Sequence, residues 1–455
     1  MTMILEKALE PSELLAVLRQ GERLEFKALL RSQPETVVDA AFADANRSER
    51  LEFLRLLPVE RAASTFTDLP LLEQAEYITD LPPDRLRVMG AFIGPDEIAD
   101  LLRELEGEES KEYLLNALPP ILATSALSLL QYEDDDAGGM MTPEFVAVLE
   151  VWTVQHTLQF LRQAADHAET VSNLYVVSSE GKLSGMVSLQ ALVTAPPRAK
   201  IEDICKRELQ FVQTDTDQEE VARLMRDYDL TVLPVVDTNG VLKGIITVDD
   251  VIDVIEEEAT EDIYKGAAME GSEIDYLRTS PFTLWRKRVL WLAALSVSEV
   301  LTVSVNSSYE DLLKQQIVLQ SYIAALIGTG GNTGSQSAVL IVRAISQGQI
   351  RGRDALRVLV KEFGTGLLLG GTLAVFAFAR VILLKPDAGT GVALAIGLAV
   401  FAIVLVANIV GAMLPIGFYK LKIDPALTSS PFLATVMDAT GLLIYFNIAK
   451  LVLGL

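Results

Sequence analysis

The chain has 455 residues, with 38 Lys and Arg against 62 Asp and Glu, and this length allows two or three domains. Residues 288–455 hold 12 basic and 8 acidic side chains, which leaves 26 basic and 54 acidic ones, a net charge of −28, for residues 1–287. So acidic a surface disfavours nucleic acid as a partner and favours cations, and Cys205, His156 and His167 are too few for a disulfide framework or a His-based metal site.

Residues 1–132 are predicted to form an acidic helical N-domain. Apolar residues recur at spacings of three and four, and prolines interrupt them at LLP, DLP, DLPP and ALPP. Short helices separated by such stops are typical of helical hairpins stacked into a superhelix. The first residues, MTMILEKALEPSELL, lack the apolar core of a signal peptide, so we expect this domain in the cytosol.

Residues 133–203 and 204–262 are predicted to contain two copies of one α/β unit, the first preceded by a linker. LYVVSSEGKLSGMVSLQAL from Leu174 aligns with LPVVDTNGVLKGIITVDDV from Leu233 at a constant offset of 59 residues. Each copy is typical of a strand, a glycine turn, a second strand and a helix that begins at Ser188 or Thr247. The two copies resemble a tandem CBS pair, a module that holds nucleotides or metals between its repeats.

The remaining residues are predicted to form a connecting helix at 263–288 and a transmembrane domain at 289–455. Apolar spans are predicted at about 289–307, 317–342, 364–384, 388–418 and 427–454, and the first carries Glu299. Basic residues cluster before span one, between spans two and three, and before span five. They are Arg286, Lys287, Arg288, Arg343, Arg351, Arg353, Arg357, Lys361, Lys420 and Lys422.

The positive-inside rule places those clusters on the cytosolic side of the cell membrane. The N-terminal body is then cytosolic and the C-terminus outside. The expected fold class is a multidomain membrane protein with an α-helical superhelical N-domain, a tandem α/β CBS pair and a five-helix α transmembrane domain.

Span two contains a run of small and polar residues, GTGGNTGSQSAVLIVRA, from Gly328. Two interpretations are open. Small residues let transmembrane helices pack closely, whereas backbone groups bared by glycine beside amide and hydroxyl side chains can hold the water shell of an ion. The second interpretation makes Gly331, Asn332, Gly334 and Gln336 pore-lining residues.

Span five places the carboxylate of Asp438 in the apolar run SSPFLATVMDATGLLIYF. An ionised aspartate at this depth is costly, and no Lys or Arg stands at mid-depth in a predicted span to pair with it. Pro431 has no N–H, which is expected to leave the carbonyl of Leu427 without a helical partner. The carbonyl of Ala434 lies one turn before Asp438, so we interpret this face as attractive to cations.

GNTGSQSAVLIVRA, ANIVGAMLP and DPALTSSPFLATVMDATGLLIYF, after a CBS pair and an acidic helical domain, resemble the MgtE family of magnesium channels over essentially the whole chain. The resemblance implies a homodimer in the lipid bilayer, with a pore on the two-fold axis lined by spans two and five. It also implies that Asp438 is the central pore carboxylate and that the carbonyl of Ala434 contacts the hydrated ion. Mg²⁺ gives up water reluctantly, so the carboxylates of two copies would hold it through its water shell.

The resemblance further implies that Mg²⁺ is both substrate and regulator, and that the pore closes when Mg²⁺ binds acidic residues of the cytosolic part. Matched position by position, these residues are Asp96, Asp100, Asp217, Glu219, Asp229, Asp250, Glu258, Glu261, Asp262 and Asp424. The first repeat has Ala191 where a CBS nucleotide site has aspartate, so ATP is expected to bind weakly or not at all.

Three alternatives stay open. They are a CBS-regulated transporter of another divalent cation (Co²⁺, Ni²⁺, Mn²⁺ or Zn²⁺), a CBS-gated anion channel, and a membrane enzyme. Asp438 opposes the anion channel, which needs basic or dipolar pore groups. The sequence offers no Ser/His or Cys/His pair, no Walker-type loop and no His-metal cluster, so we predict that the protein is not an enzyme.

Overall fold

The computed structural model describes residues 9–165, 168–269, 276 and 279–454. The chain divides into two compact units, Met1–Val254 and Ile255–Leu455, and the boundary falls inside the helix Val248–Gly266. The predicted fold class is confirmed in its main parts: a helical N-terminal region, a pair of α/β repeats, and a helical C-terminal region with long apolar helices.

The N-terminal region is a succession of short helices. Pro58, Pro70, Pro82 and Pro119 stand immediately before four of its described helices, where the fixed φ of proline suits the turn into a helix and its missing N–H is not needed. Later helices pack on the helix two places further along, as stacked hairpins do. The elements are α1 (Pro11–Arg19), α2 (Arg23–Ser32), α3 (Glu35–Ala43), α4 (Arg47–Leu56), α5 (Val59–Thr67), α6 (Leu71–Ile78), α7 (Pro83–Met89), α8 (Pro95–Glu104), α9 (Glu108–Ala117), α10 (Pro120–Leu129) and α11 (Ala137–Met140).

The two repeats have the same strand pairing. Each sheet has a parallel pair followed by an antiparallel pair, in the orders β1-β2-β3 and β4-β5-β6. Gly181 and Gly240 occupy the same turn with φ of +78° and +79°, a conformation that glycine adopts without strain. The elements are β1 (Ala147–Leu149), α12 (Val154–Ala164), β2 (Asn173–Val177), β3 (Leu183–Ser188), α13 (Leu189–Thr194), α14 (Ile201–Ile204), β4 (Val212–Gln213), α15 (Gln218–Asp227), β5 (Val232–Val236), β6 (Leu242–Thr247) and α16 (Val248–Gly266).

The C-terminal region is helical throughout its described part. Its helices are α17 (Pro281–Ser308), α18 (Glu310–Gln315), α19 (Ile317–Gln320), α20 (Ile323–Ser346), α21 (Ala355–Leu384), α22 (Gly389–Lys420) and α23 (Ser430–Leu453). Among the described residues, four helices are long and apolar enough to cross a membrane, namely α17, α21, α22 and α23. Helix α20 has 24 residues, but its glycine and amide run makes it more polar, so the count of five spans stays a prediction.

Helices α17 and α21 begin several residues before the apolar spans predicted for them. Helix α17 begins at Pro281 because the Ser280 hydroxyl accepts a hydrogen bond from the N–H of Thr283. Helix α21 includes the charged turn around Arg357, since charged side chains are good helix formers. The connecting helix predicted at 263–288 lies partly outside the described residues; within them, 263–266 end α16 and 281–288 begin α17.

Candidate ion-binding sites

Glycines let α20 lie close to its neighbours. A β-carbon on Gly331 would lie 3.4 Å from Ala434 of α23, and one on Gly334 would lie 3.5 Å from the carbonyl oxygen of Ala407 in α22. Gly411 of α22 rests directly on the backbone of Gly334 and has no room for a side chain. Both Gly331 and Gly334 are buried. These contacts support the packing interpretation for the glycines.

The amides of α20 point away from that packing. Asn332 and Gln336 lie one turn apart on the same face, and both are exposed. Ser335, between them, donates a 3.4 Å hydrogen bond to the carbonyl oxygen of Ser430 at the start of α23. Within a bilayer, exposed amides need water or another polar chain beside them. The pore-lining prediction therefore depends on Asn332 and Gln336, since the two glycines lie inside the bundle.

Asp438 and Ala434 lie one turn apart on α23, and both are half-buried. Ala434 faces Gly331, where α20 and α23 touch. In the described part of the chain, Asp438 has no Lys or Arg as an ion-pair partner, and the charge that acts on it is another carboxylate, Glu299 of α17. Two carboxylates without a basic partner are an arrangement that a cation would stabilise.

The argument made from Pro431 in the sequence is wrong. Helix α23 begins at Ser430, after the N-cap residue Ser429, so Pro431 lies in the first turn. The N–H groups of a first turn have no partner within the helix, so a proline there removes no bond. The carbonyl of Leu427 belongs to the preceding turn, Pro425–Leu427, and is not left unpaired by the proline.

A polar contact that the sequence analysis missed joins three helices. The carboxylate of Glu362 in α21 accepts hydrogen bonds from the hydroxyl of Ser337 in α20, at 3.1 Å, and from the side-chain amide of Asn408 in α22, at 2.7 Å. Asn408 also donates to the backbone carbonyl of Glu362. In the sequence, the polar residue Asn408 within the otherwise apolar run of α22 could have indicated this contact. The contact fixes α20 relative to α21 and α22.

The end of α16 and the turn before α23 form a group of carboxylates. Asp262 lies within electrostatic range of Asp424 and Glu258. Burial, followed by the charge of Asp424 and that of Glu258, raises the pKa of Asp262 to about 6. The structure thus brings together three of the predicted regulatory residues, in an environment that disfavours the ionised form of Asp262.

A cation of the chain itself lies in that group. The ammonium of Lys265 is 2.6 Å from the carboxylate of Asp424 and 2.8 Å from that of Glu261. Burial lowers the pKa of Lys265, but its hydrogen bonds to Asp424 and Glu261 outweigh that effect and raise it. The sequence analysis missed Lys265, although its spacing of four residues from Glu261 was a usable signal.

Other carboxylates meet within the first unit, where α8 faces the start of α16. Asp96 is half-buried, and its Oδ1 atom is buried without a hydrogen-bond partner among the described residues. Burial and the nearby charge of Asp250 raise the pKa of Asp96 well above its ordinary value. Partial desolvation and the charge of Asp250 likewise raise the pKa values of Glu97 and Glu169, although both residues keep exposed surface. Glu97 and Glu169 were not predicted from the sequence.

The structure separates several of the other predicted regulatory residues. Asp100 forms an ion pair with Arg103 at 2.6 Å. Asp217 caps the start of α15, where it accepts a hydrogen bond from the N–H of Glu219, whereas Asp229 follows the end of that helix with a φ of +51°. Ten residues of helix span about 15 Å, so one ion cannot bridge Asp217 and Asp229 of the same chain.

Across the described ranges, no group of three or more His, Cys, Asp or Glu side chains is arranged to hold a metal ion. The carboxylates occur instead as facing pairs, such as Asp96 with Asp250 and Asp262 with Asp424. Such pairs suit Mg²⁺, which keeps several waters and is commonly bound through one or two carboxylates.

Family models match three parts of the chain. Residues 323–448 match a model described as a divalent cation transporter, MgtE. Residues 32–135 match the MgtE intracellular N domain, and residues 137–198 and 201–257 match the CBS domain.

The chain is also similar to whole proteins. It is 43% identical to the magnesium transporter MgtE of Thermus thermophilus, over 96% of this chain and 97% of that one. The magnesium transporters MgtE of Enterococcus faecalis and Bacillus subtilis are 35% and 31% identical, over 88% and 96% of this chain and 96% of each of theirs. A solved structure described as the cytosolic domain of the Mg²⁺ channel MgtE in complex with ATP superimposes with a TM-score of 0.51 at 43% identity, over 54% of this chain and 99% of that one.

Proposed function

The chain belongs to the MgtE family of divalent cation transporters, and from that premise we propose that it conducts Mg²⁺ across the cell membrane. The observation that carries the proposal is the 43% identity to a magnesium transporter over nearly the full length of both chains. The family consists of transporters and not of enzymes, which sets the enzyme alternative aside. The family model describes transport of divalent cations, which also disfavours the anion-channel alternative.

The ion pathway lies between two copies of the chain, on the axis of a homodimer. The exposed amides of Asn332 and Gln336 and the carboxylate of Asp438 support this proposal, since polar groups at membrane depth need water or another polar group beside them. Hydrated Mg²⁺ is held by Asp438 of each copy and by the carbonyl of Ala434, through its water shell. The N-terminal body is cytosolic and the C-terminus is outside.

Mg²⁺ is also the regulator. The facing carboxylates offer the oxygen ligands that Mg²⁺ prefers, and the unpartnered Oδ1 of Asp96 marks a place where a cation would relieve an unfavourable burial. Asp96 and Asp250 would hold an ion between the N-domain and the second repeat. Glu258, Asp262 and Asp424 would hold one between the connector and the mouth of the pore.

Growth of a bacterial strain that lacks its own magnesium uptake systems tests the function. We expect this chain to restore growth in medium with micromolar Mg²⁺, and an Asp438→Ala variant expressed to the same level not to. Failure to restore growth, together with accumulation of Co²⁺ or Ni²⁺, would favour the divalent-cation alternative.

ATP is predicted to bind weakly or not at all, because Ala191 supplies no carboxylate to the ribose in the first repeat. Titration calorimetry of the full-length protein is expected to give no saturable heat with ATP. An Ala191→Asp variant is the matched gain-of-binding control. Micromolar ATP affinity in the parent would contradict this and would indicate that Asp250 of the second repeat suffices.

Lys265 is predicted to compete with Mg²⁺ for Asp424 and Glu261, because its ammonium already neutralises both carboxylates. Replacing Lys265 by methionine removes that positive charge, so Mg²⁺ should bind the full-length protein a few-fold more tightly. The Lys265→Arg variant, which keeps the charge, should match the parent. Unchanged or weaker Mg²⁺ binding in Lys265→Met, measured by calorimetry, would refute the competition.

A further inference from the structure

Glu299 is a carboxylate in the middle of an apolar helix. It lies eleven positions after Arg288, which is about 16 Å along the axis of α17, and so about half-way across a hydrocarbon layer of about 30 Å. Asp438 lies eight residues after the start of α23, at a comparable depth from the cytosolic side. A carboxylate at this depth is costly and is normally kept for a functional reason.

The face of α17 that packs on α23 passes beside Glu299. From residue 291 onward, the less exposed positions of α17 recur at spacings of three and four along one face, as expected for a packed seam. They are Trp291, Leu295, Ser298, Thr302 and Val305. Helix α17 packs on α23, and Glu299 follows Ser298 directly, at the flank of that seam, where it is exposed in the single chain.

No basic side chain compensates this charge. Among the described residues, Glu299 forms no ion pair or hydrogen bond. Its charge acts instead on another carboxylate, that of Asp438. One turn further along the seam, the hydroxyl oxygen of Thr302 is buried and also lacks a partner in the described part of the chain. The neighbourhood of Asp438 is therefore more negative than Asp438 alone would make it.

We propose that Glu299 is a specificity-determining residue of the cation pathway. Its carboxylate increases the negative potential at Asp438, which favours a divalent over a monovalent cation because the attraction scales with the charge of the ion. In a dimer the pathway then has four carboxylates instead of two. This inference rests on the proposed function, because it takes Asp438 as the ion-binding group.

The test compares Glu299→Gln, which keeps the shape, and Glu299→Leu, which suits lipid, with the parent in planar bilayers. We expect both variants to raise the Mg²⁺ concentration for half-maximal current about tenfold and to lower the Mg²⁺ to K⁺ permeability ratio. The thermal midpoint of the purified protein should stay close to that of the parent. Glu310→Gln, which removes an exposed charge of α18 paired with Lys314, is the control and should leave both properties unchanged.

Recording the Asp438→Ala variant in the same experiment separates the role of Glu299 from the assignment of the ion pathway to Asp438. If Asp438→Ala abolishes the Mg²⁺ current while both Glu299 variants keep parental half-saturation and selectivity, the role of Glu299 is overturned and the pathway stands. If Asp438→Ala conducts like the parent, the pathway itself is wrong and the inference falls with it. Glutamine and leucine remove the charge in different ways. If one of the two Glu299 variants does not fold, the other still tests the proposal.

Discussion

Replacing Asp438 by alanine is expected to reduce Mg²⁺ flux by about a hundredfold or more while leaving a folded protein, because a dimer loses the two Asp438 carboxylates proposed to hold the ion. In the described part of the chain Asp438 makes no ion pair, so its removal breaks no bridge that holds the helices together. The alanine is also less costly to bury than the carboxylate. Function and stability should therefore respond in opposite directions.

Flux of Mg²⁺ into proteoliposomes, with size-exclusion chromatography of the same preparation, measures both properties. Asp387→Asn is a suitable control, since it removes a carboxylate of the exposed turn Pro386–Ala388, away from α20 and α23. Asp438→Ala protein that elutes like the parent and conducts Mg²⁺ at the parental rate would show that the pore has been assigned to the wrong residue.

Neutralising Glu258, Asp262 and Asp424 together is expected to leave the channel open at millimolar cytosolic Mg²⁺. Burial first, and then the charges of Asp424 and Glu258, raise the pKa of Asp262, so without a cation these carboxylates oppose one another. Mg²⁺ between them would draw the end of α16 to the turn before α23. A change from mostly open to mostly closed requires about a 10⁴-fold preference of Mg²⁺ for the closed state. Several weak sites in each dimer can supply this preference together, so losing one of them should shift closure strongly. Deleting the N-domain, which removes Asp96, should act in the same direction.

Patch recordings with Mg²⁺ on the cytosolic face test this regulation, with limited proteolysis of the full-length protein as a second measurement. Millimolar Mg²⁺ should lower the open probability of the parent and slow its cleavage in α16. The control removes three carboxylates from α18 and from the turn before α22, at Glu310, Asp311 and Asp387, and should keep the parental response. If the open probability of the parent does not depend on cytosolic Mg²⁺, the acidic body is not the sensor.

The repeated unit was the part of the fold most fully predictable from sequence. The glycines of the two turns and the cap residues Ser188 and Thr247 are local signals, and each recurs 59 positions later. A turn that requires positive φ constrains the backbone without help from distant residues. The two hydroxyls also bond locally: Ser188 accepts from the N–H of Ala191, and Thr247 donates to the carboxylate of Asp250. The same strand order and the same register shift in both sheets follow from this.

The contacts between helices were less predictable, because they depend on which faces meet. From sequence alone, the run from Gly328 was compatible with both helix packing and pore lining. In the structure, Gly331 and Gly334 pack against neighbouring helices, while Asn332 and Gln336 are exposed. Pro431 gave a wrong prediction because apolar residues alone do not reveal that α23 begins at Ser430.

The sequence also predicted only some of the residues that make up the carboxylate groups. Asp96 and Asp250 were named from the resemblance, whereas Glu97, which follows Asp96 in α8, was not, and Glu169 comes to them from another segment of the first unit. Lys265 and Glu362 act on residues far away in sequence, at Asp424 and Asn408. Contacts of this kind require the tertiary structure, since no local pattern fixes them.

Uptake into proteoliposomes that contain only the purified protein is the most direct test of the central claim. With Mg²⁺, Ca²⁺, Co²⁺ or K⁺ as the sole external cation, we expect Mg²⁺ uptake that exceeds Ca²⁺ and K⁺ uptake and that disappears with Asp438→Ala. Absence of Mg²⁺ uptake by the parent protein, or equal Mg²⁺ and K⁺ uptake, would contradict it.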